Sequence, residues 1–111
     1  MQFIHDNDLY KIVRITGSTH NLLIIRLSEI KCSTQITKLQ VKQGDIERLD
    51  EQDVLTHVLT GLEEVNQKLG KNYFLSEVQY VPSDTEPTSV YSFLIMELIK
   101  RIDLNGEFVV V

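Results

Sequence analysis

Between residues 51 and 69 apolar side chains return every three or four positions. Val54, Leu55, Val58, Leu59, Leu62, Val65 and Leu69 form one stripe, which predicts an amphipathic helix. Asp50 ahead of it is a good N-cap, because its carboxylate accepts from a backbone N–H that the first turn leaves unpaired. Leu49 and Val54 have the spacing of a hydrophobic staple, and Lys68 and Gly70 carry the signals of a helix end. A second helix is predicted from about 89 to 102. There Tyr91, Phe93, Leu94, Ile95, Met96, Leu98, Ile99 and Ile102 leave little polar circumference, so this helix should be the more deeply buried of the two.

The remaining patterns are those of strands. Leu9 to Thr16 is apolar on parts of both faces, and Leu22 to Leu27 is almost wholly apolar, as an inner strand covered on both faces would be. Gly17 to Asn21 between them reads as a hairpin loop of roughly five residues. From Gln35 to Lys42 the chain alternates, with Thr37, Leu39 and Val41 on one side and Lys38, Gln40 and Lys42 on the wet one. Asn72 to Val81 is a further strand ended by Pro82, and Asn105-Gly106 leads into a terminal segment, Glu107 to Val111, of strand propensity. The order is β-β-β-α-β-α with a further C-terminal β. It predicts a single α+β domain over residues 1–111, a largely antiparallel sheet with two helices packed on it.

Composition adds limits. At 111 residues and 42% hydrophobic the chain has material for one core and no tryptophan to put in it. Cys32 is the only cysteine, which excludes an internal disulfide and fits a reducing compartment. The opening residues lack the basic segment and apolar run of a secretory signal, and no stretch is apolar enough to span a membrane. A cytoplasmic location without membrane attachment is the expectation.

Charge is unevenly divided. Residues 1–44 carry six Lys/Arg against three Asp/Glu, whereas residues 45–111 carry five against thirteen. The drop is steepest at Asp45, Glu47, Asp50, Glu51 and Asp53, opposed only by Arg48. Capping and the helix dipole account for Asp50, Glu51 and Asp53. They do not account for Asp45, Glu47, Asp84 and Glu86. If their two loops meet at one end of the domain, these seven carboxylates form a surface able to steer a basic protein partner.

Other chemistry lacks parts. His5, His20 and His57 show no metal spacing, and no cysteine cluster completes a zinc site. His5-Asp6-Asn7-Asp8 reads as a solvated lead-in rather than a cation site. Cys32 has no evident activating base and reads as a buried structural thiol. Glu63-Glu64 falls on the polar face of the first helix, where solvation keeps carboxylates ordinary. No Gly-rich phosphate loop or nucleophile elbow occurs among only five glycines. The basic residues Lys11, Arg14, Arg26, Lys31, Lys38 and Lys42 meet a single aromatic, Tyr10, in the N-terminal strands, which disfavours a nucleic-acid sheet. No catalytic residue, metal or cofactor is predicted.

At Tyr80-Val81-Pro82-Ser83-Asp84-Thr85-Glu86-Pro87, followed by Val90-Tyr91 and Leu94, the chain resembles small bacterial immunity proteins, the antidotes of contact-dependent growth inhibition and related polymorphic toxin systems. The resemblance spans roughly residues 73–102. It implies a cytosolic, non-enzymatic protein that binds one cognate toxin domain, often a nuclease, and blocks its active site. The alternative is a self-associating structural or regulatory module, a homodimer through the second helix or the C-terminal strand.

Overall fold

Two-residue turns organise the first part of the chain. In the computed structural model, which describes residues 1–111, β1 (Gln2–Asp6), β2 (Leu9–Thr16) and β3 (Thr19–Ser28) form an antiparallel meander. The β1–β2 turn is Asn7-Asp8, with Asn7 at φ 56°, a left-handed conformation that asparagine tolerates better than most residues. The β2–β3 turn is Gly17-Ser18, with Gly17 at φ 59° and Thr16 paired to Thr19. This corrects two expectations. The hairpin loop has two residues rather than five, because Thr19 to Asn21 pair with β2. The segment from His5 to Asp8 is the end of a strand and its turn rather than a solvated lead-in.

The rest of the sheet comes from β4 (Gln35–Lys38), β5 (Phe74–Tyr80) and β6 (Val109–Val110). Strand order is β4-β5-β3-β2-β1-β6. The inner pairs are antiparallel, while β4 runs parallel to β5 and β6 parallel to β1. The parallel edges follow from the helices. α1 (Glu51–Leu69) carries the chain from β4 to its neighbour β5, and α2 (Val90–Asp103) carries it from β5 across to the far edge. β4 is shorter than its alternation suggests and has the other parity. Ile36, opposite Val78, packs on the core, while Thr37 is exposed.

Both helices cover one face. Ile12, Leu23, Ile25, Leu75, Val78 and Tyr80 from the sheet join Val54, Val58, Leu62 and Val65 of α1 and Tyr91, Leu94, Ile95, Leu98 and Ile99 of α2 in one buried cluster. α1 begins and ends as its sequence dictates. The Asp50 carboxylate accepts from the Asp53 N–H at 3.1 Å, and Gly70 closes the helix at φ 65°. The helices touch at Gly61, where a Cβ would lie 2.4 Å from the Ser92 carbonyl oxygen.

The opposite face has no second layer, so β3 is not covered on both sides as its composition suggests. Its rungs run Gln2–Val13–Leu22, Ile4–Lys11–Ile24–Gln79 and Asp6–Leu9–Arg26–Glu77. Ile24 is still only 5% exposed. Its rung neighbours Lys11 and Gln79 have long stems that lie well over apolar surface. The last rung is ionic: Arg26 bridges Asp8 and Glu77, and Lys11 pairs with Asp6.

Candidate functional site

The acidic segments are two connections, residues 39–50 between β4 and α1 and residues 81–89 between β5 and α2. Pro82 cannot donate to the sheet, but its carbonyl accepts two bonds, from Arg48 N–H at 2.8 Å and Leu49 N–H at 3.1 Å. Leu49 is buried beneath them. The two connections therefore meet at one end of the sheet. Gly44, at φ 92°, turns the first connection at Asp45, whose N–H donates to the Lys42 carbonyl at 3.1 Å.

The seven predicted carboxylates fall into three groups. Asp45, Glu47 and Glu86 are exposed on the connections, and Glu47 pairs with Lys38 at 3.0 Å. Asp50, Glu51 and Asp53 form the helix start. Burial pushes the Tyr80 hydroxyl above its ordinary pKa, and the nearby Glu51, Glu47 and Asp50 carboxylates raise it further.

Asp84 stands apart, and here the expectation of a surface contact is corrected. It is 4% exposed. One carboxylate oxygen accepts from the Leu22 N–H at 2.9 Å, and the other lies 3.2 Å from His20 Nδ1. Burial raises its pKa above the usual carboxylate value, opposed by the Leu22 N–H and by His20. Asp84 fastens its connection to the start of β3 instead of meeting solvent.

Neighbouring residues tighten the same seam. Thr85 is bonded twice to β3: its N–H donates to the His20 carbonyl at 3.0 Å, and its side-chain hydroxyl accepts from the His20 N–H at 3.0 Å. Asn21 is fully buried and donates to the Thr85 carbonyl at 2.8 Å and to the Tyr91 hydroxyl at 3.4 Å. Arg14 donates to the Asn21 side-chain oxygen at 3.4 Å. His20, Asn21 and Tyr91 carry no motif. The one signal at sequence level is Asn21 placed ahead of an apolar run, where an amide has to be satisfied internally.

The seam leaves a polar hollow of about 280 Å³ between the connections, which Asp45, Arg48, His20, Ser18 and Ser83 line. The His20 ring is half exposed there, with Nδ1 turned to Asp84. Neither Ser18 nor Ser83 hydrogen-bonds that ring, so His20 and Asp84 form an oriented couple without an attached nucleophile. Cys32 is exposed, which corrects its reading as a buried thiol. Its sulfur lies 3.5 Å from the Leu75 carbonyl, away from the hollows that hold His5 and His20. Glu63 and Glu64 are solvated on α1, and Glu64 lies 3.8 Å from Lys68. No helix is long and apolar enough to cross a membrane.

Comparison with protein-family models, with characterised proteins and with solved structures finds no match to this chain.

Proposed function

We propose that the chain is a small protein-binding module, an immunity protein that neutralises a basic toxin domain by covering the surface with which that domain holds a phosphate-bearing substrate. The observation that carries this reading is the pair of hydrogen bonds that the Arg48 and Leu49 N–H groups donate to the Pro82 carbonyl. It supports a single acidic end made by Asp45, Glu47, Asp50, Glu51 and Asp53, with Glu86 on the adjoining connection. Such an end attracts a basic surface over the distance that salt leaves unscreened and rejects acidic competitors. Asp84 contributes from below by holding the platform. A cytoplasmic site of action and the absence of catalysis belong to the same reading.

The test is calorimetry with the toxin domain encoded beside this chain's gene, at about 50 and about 300 mM salt. The triple variant Asp45→Lys, Glu47→Lys, Glu86→Lys is expected to bind at least about tenfold more weakly and to lose most of the salt dependence. Unchanged affinity in the folded triple variant removes this end as the contact. A gene neighbourhood with no toxin domain removes the toxin itself.

A second reading, self-association, has its own observation. Val109, Val110 and Val111 are 64%, 76% and 75% exposed at an outer edge of the sheet, a place where strands of two copies can pair. Light scattering at high protein concentration decides it: a strict monomer rules it out.

A further inference from the structure

At the opposite end of the sheet, where β1, β3 and β5 have their other ends, lies a hollow of about 650 Å³. Part of its wall is aromatic: His5, Tyr10 and Tyr73 line it, with Leu27 as an aliphatic patch, and the other five lining residues are polar. His5 and Tyr10 are stacked, ring centroids 4.2 Å apart and planes 8° from parallel. Tyr73 is fixed from both sides. Its backbone N–H and carbonyl are both bonded to the Asn66 side chain at 3.0 Å, and its hydroxyl donates to Asp103 at 2.7 Å. These rings are therefore held in place before any ligand arrives.

Charge sets this hollow apart from four of the other six. Four further hollows on the surface each include a Lys or Arg: Lys31 and Lys71, Lys100 and Arg101, Arg101 again, or Arg48. This one has neither, and carries Asp8 and Glu29 instead. Arg26 is engaged by Asp8 and Glu77 and Lys71 by Asp103 at 2.7 Å, while Lys31, two residues after Glu29, is in no ion pair and lines the adjoining hollow that shares Asn72 and Tyr73. Glu29 is exposed and takes part in none of the ion pairs of the molecule.

We infer that this hollow binds a small organic cation of the alkylammonium class, seated beside the Tyr73 ring and the His5–Tyr10 stack with Glu29 as its counter-charge. Aromatic faces attract such a cation through their quadrupole, and a nearby carboxylate adds to the attraction without requiring the ion to lose all its water. The site lies apart from the acidic end and does not depend on the toxin reading.

The probe is choline, compared with 3,3-dimethylbutan-1-ol, which has the same shape and no charge. Titration is followed by amide NMR at constant ionic strength. Choline is expected to give saturable shifts at residues 28–29 and 72–73 with a Kd of about a millimolar, and the neutral analogue to bind at least about fivefold more weakly. Glu29→Gln, at an exposed position that leaves the fold intact, is expected to weaken choline about threefold or more. Glu63→Gln, in the neighbouring hollow, leaves it unchanged. Equal binding of the neutral analogue, an unaffected Glu29→Gln variant, or no saturation by about 50 mM overturns the proposal.

Discussion

Asp84 shows how one position changes meaning once its surroundings are known. Removing its carboxylate leaves the Leu22 N–H without a partner, so Asp84→Ala is expected to cost about 1–3 kcal/mol in urea unfolding. Asp84→Asn keeps an acceptor for that N–H and is expected to cost less. The two chains should also differ in pH dependence. Because the folded state raises the Asp84 pKa, its contribution to stability is full below the unfolded carboxylate value and is lost as pH rises through the folded one. Wild type should therefore lose stability relative to Asp84→Asn as pH rises above the ordinary carboxylate value, about 4. Asp103 has the opposite sign. Lys71 and Tyr73 lower its pKa, so the stability it adds is present at neutral pH and lost on acidification. From sequence, Asp84 was indistinguishable from Asp45. Both stand in polar connections, and only a partner sixty-two residues away, Leu22, separates them.

Among the elements, the helices were the most legible because a period of 3.6 and its caps are local properties. Asp50→Ala is expected to cost about 1 kcal/mol through the lost cap, as read from thermal or urea unfolding. Gly61 tells a different story. A helix-interior glycine normally gains from replacement by alanine, yet Gly61→Ala is expected to destabilise by about 1–3 kcal/mol, because its Cβ meets the Ser92 backbone. A stabilised Gly61→Ala protein in urea unfolding would mean that the helices stand farther apart than described. Strands were less legible. β1 is short, and its Asn7-Asp8 turn also has the composition of a polar lead-in. The parity of β4 is hidden in the pattern because Leu39 and Val41 prolong an alternation beyond Lys38, where the chain leaves the sheet. Its one inward residue, Ile36, is set by pairing with Val78, which periodicity within the segment cannot reveal.

For the whole molecule, the α+β class follows from element order, but the mixed character of the sheet does not. Parallel edges depend on where the chain returns after each helix, a long-range choice that local pattern leaves open. The same limit applied to the acidic end, since two loops far apart in sequence were joined only by the Pro82 carbonyl. The far edge rests on a cluster in which Phe108 meets Phe3, His5 and Tyr10 at ring centroid distances of 6.1, 6.2 and 5.4 Å. Phe108→Ala is expected to cost about 2 kcal/mol and to speed hydrogen exchange at Val111, whose N–H donates to the His5 carbonyl at 3.0 Å. Protection unchanged at Val111 would show that β6 holds without the cluster.

The pairing of β6 with β1 also sets a timetable. β1 is synthesised more than a hundred residues before its neighbours Val109 and Val110. At typical translation rates, on the order of ten residues per second, the β1 edge of the nascent sheet stays unpaired for about ten seconds. Such an edge is open to any strand that passes. Slower translation therefore lengthens the time for which this edge is open to misassembly.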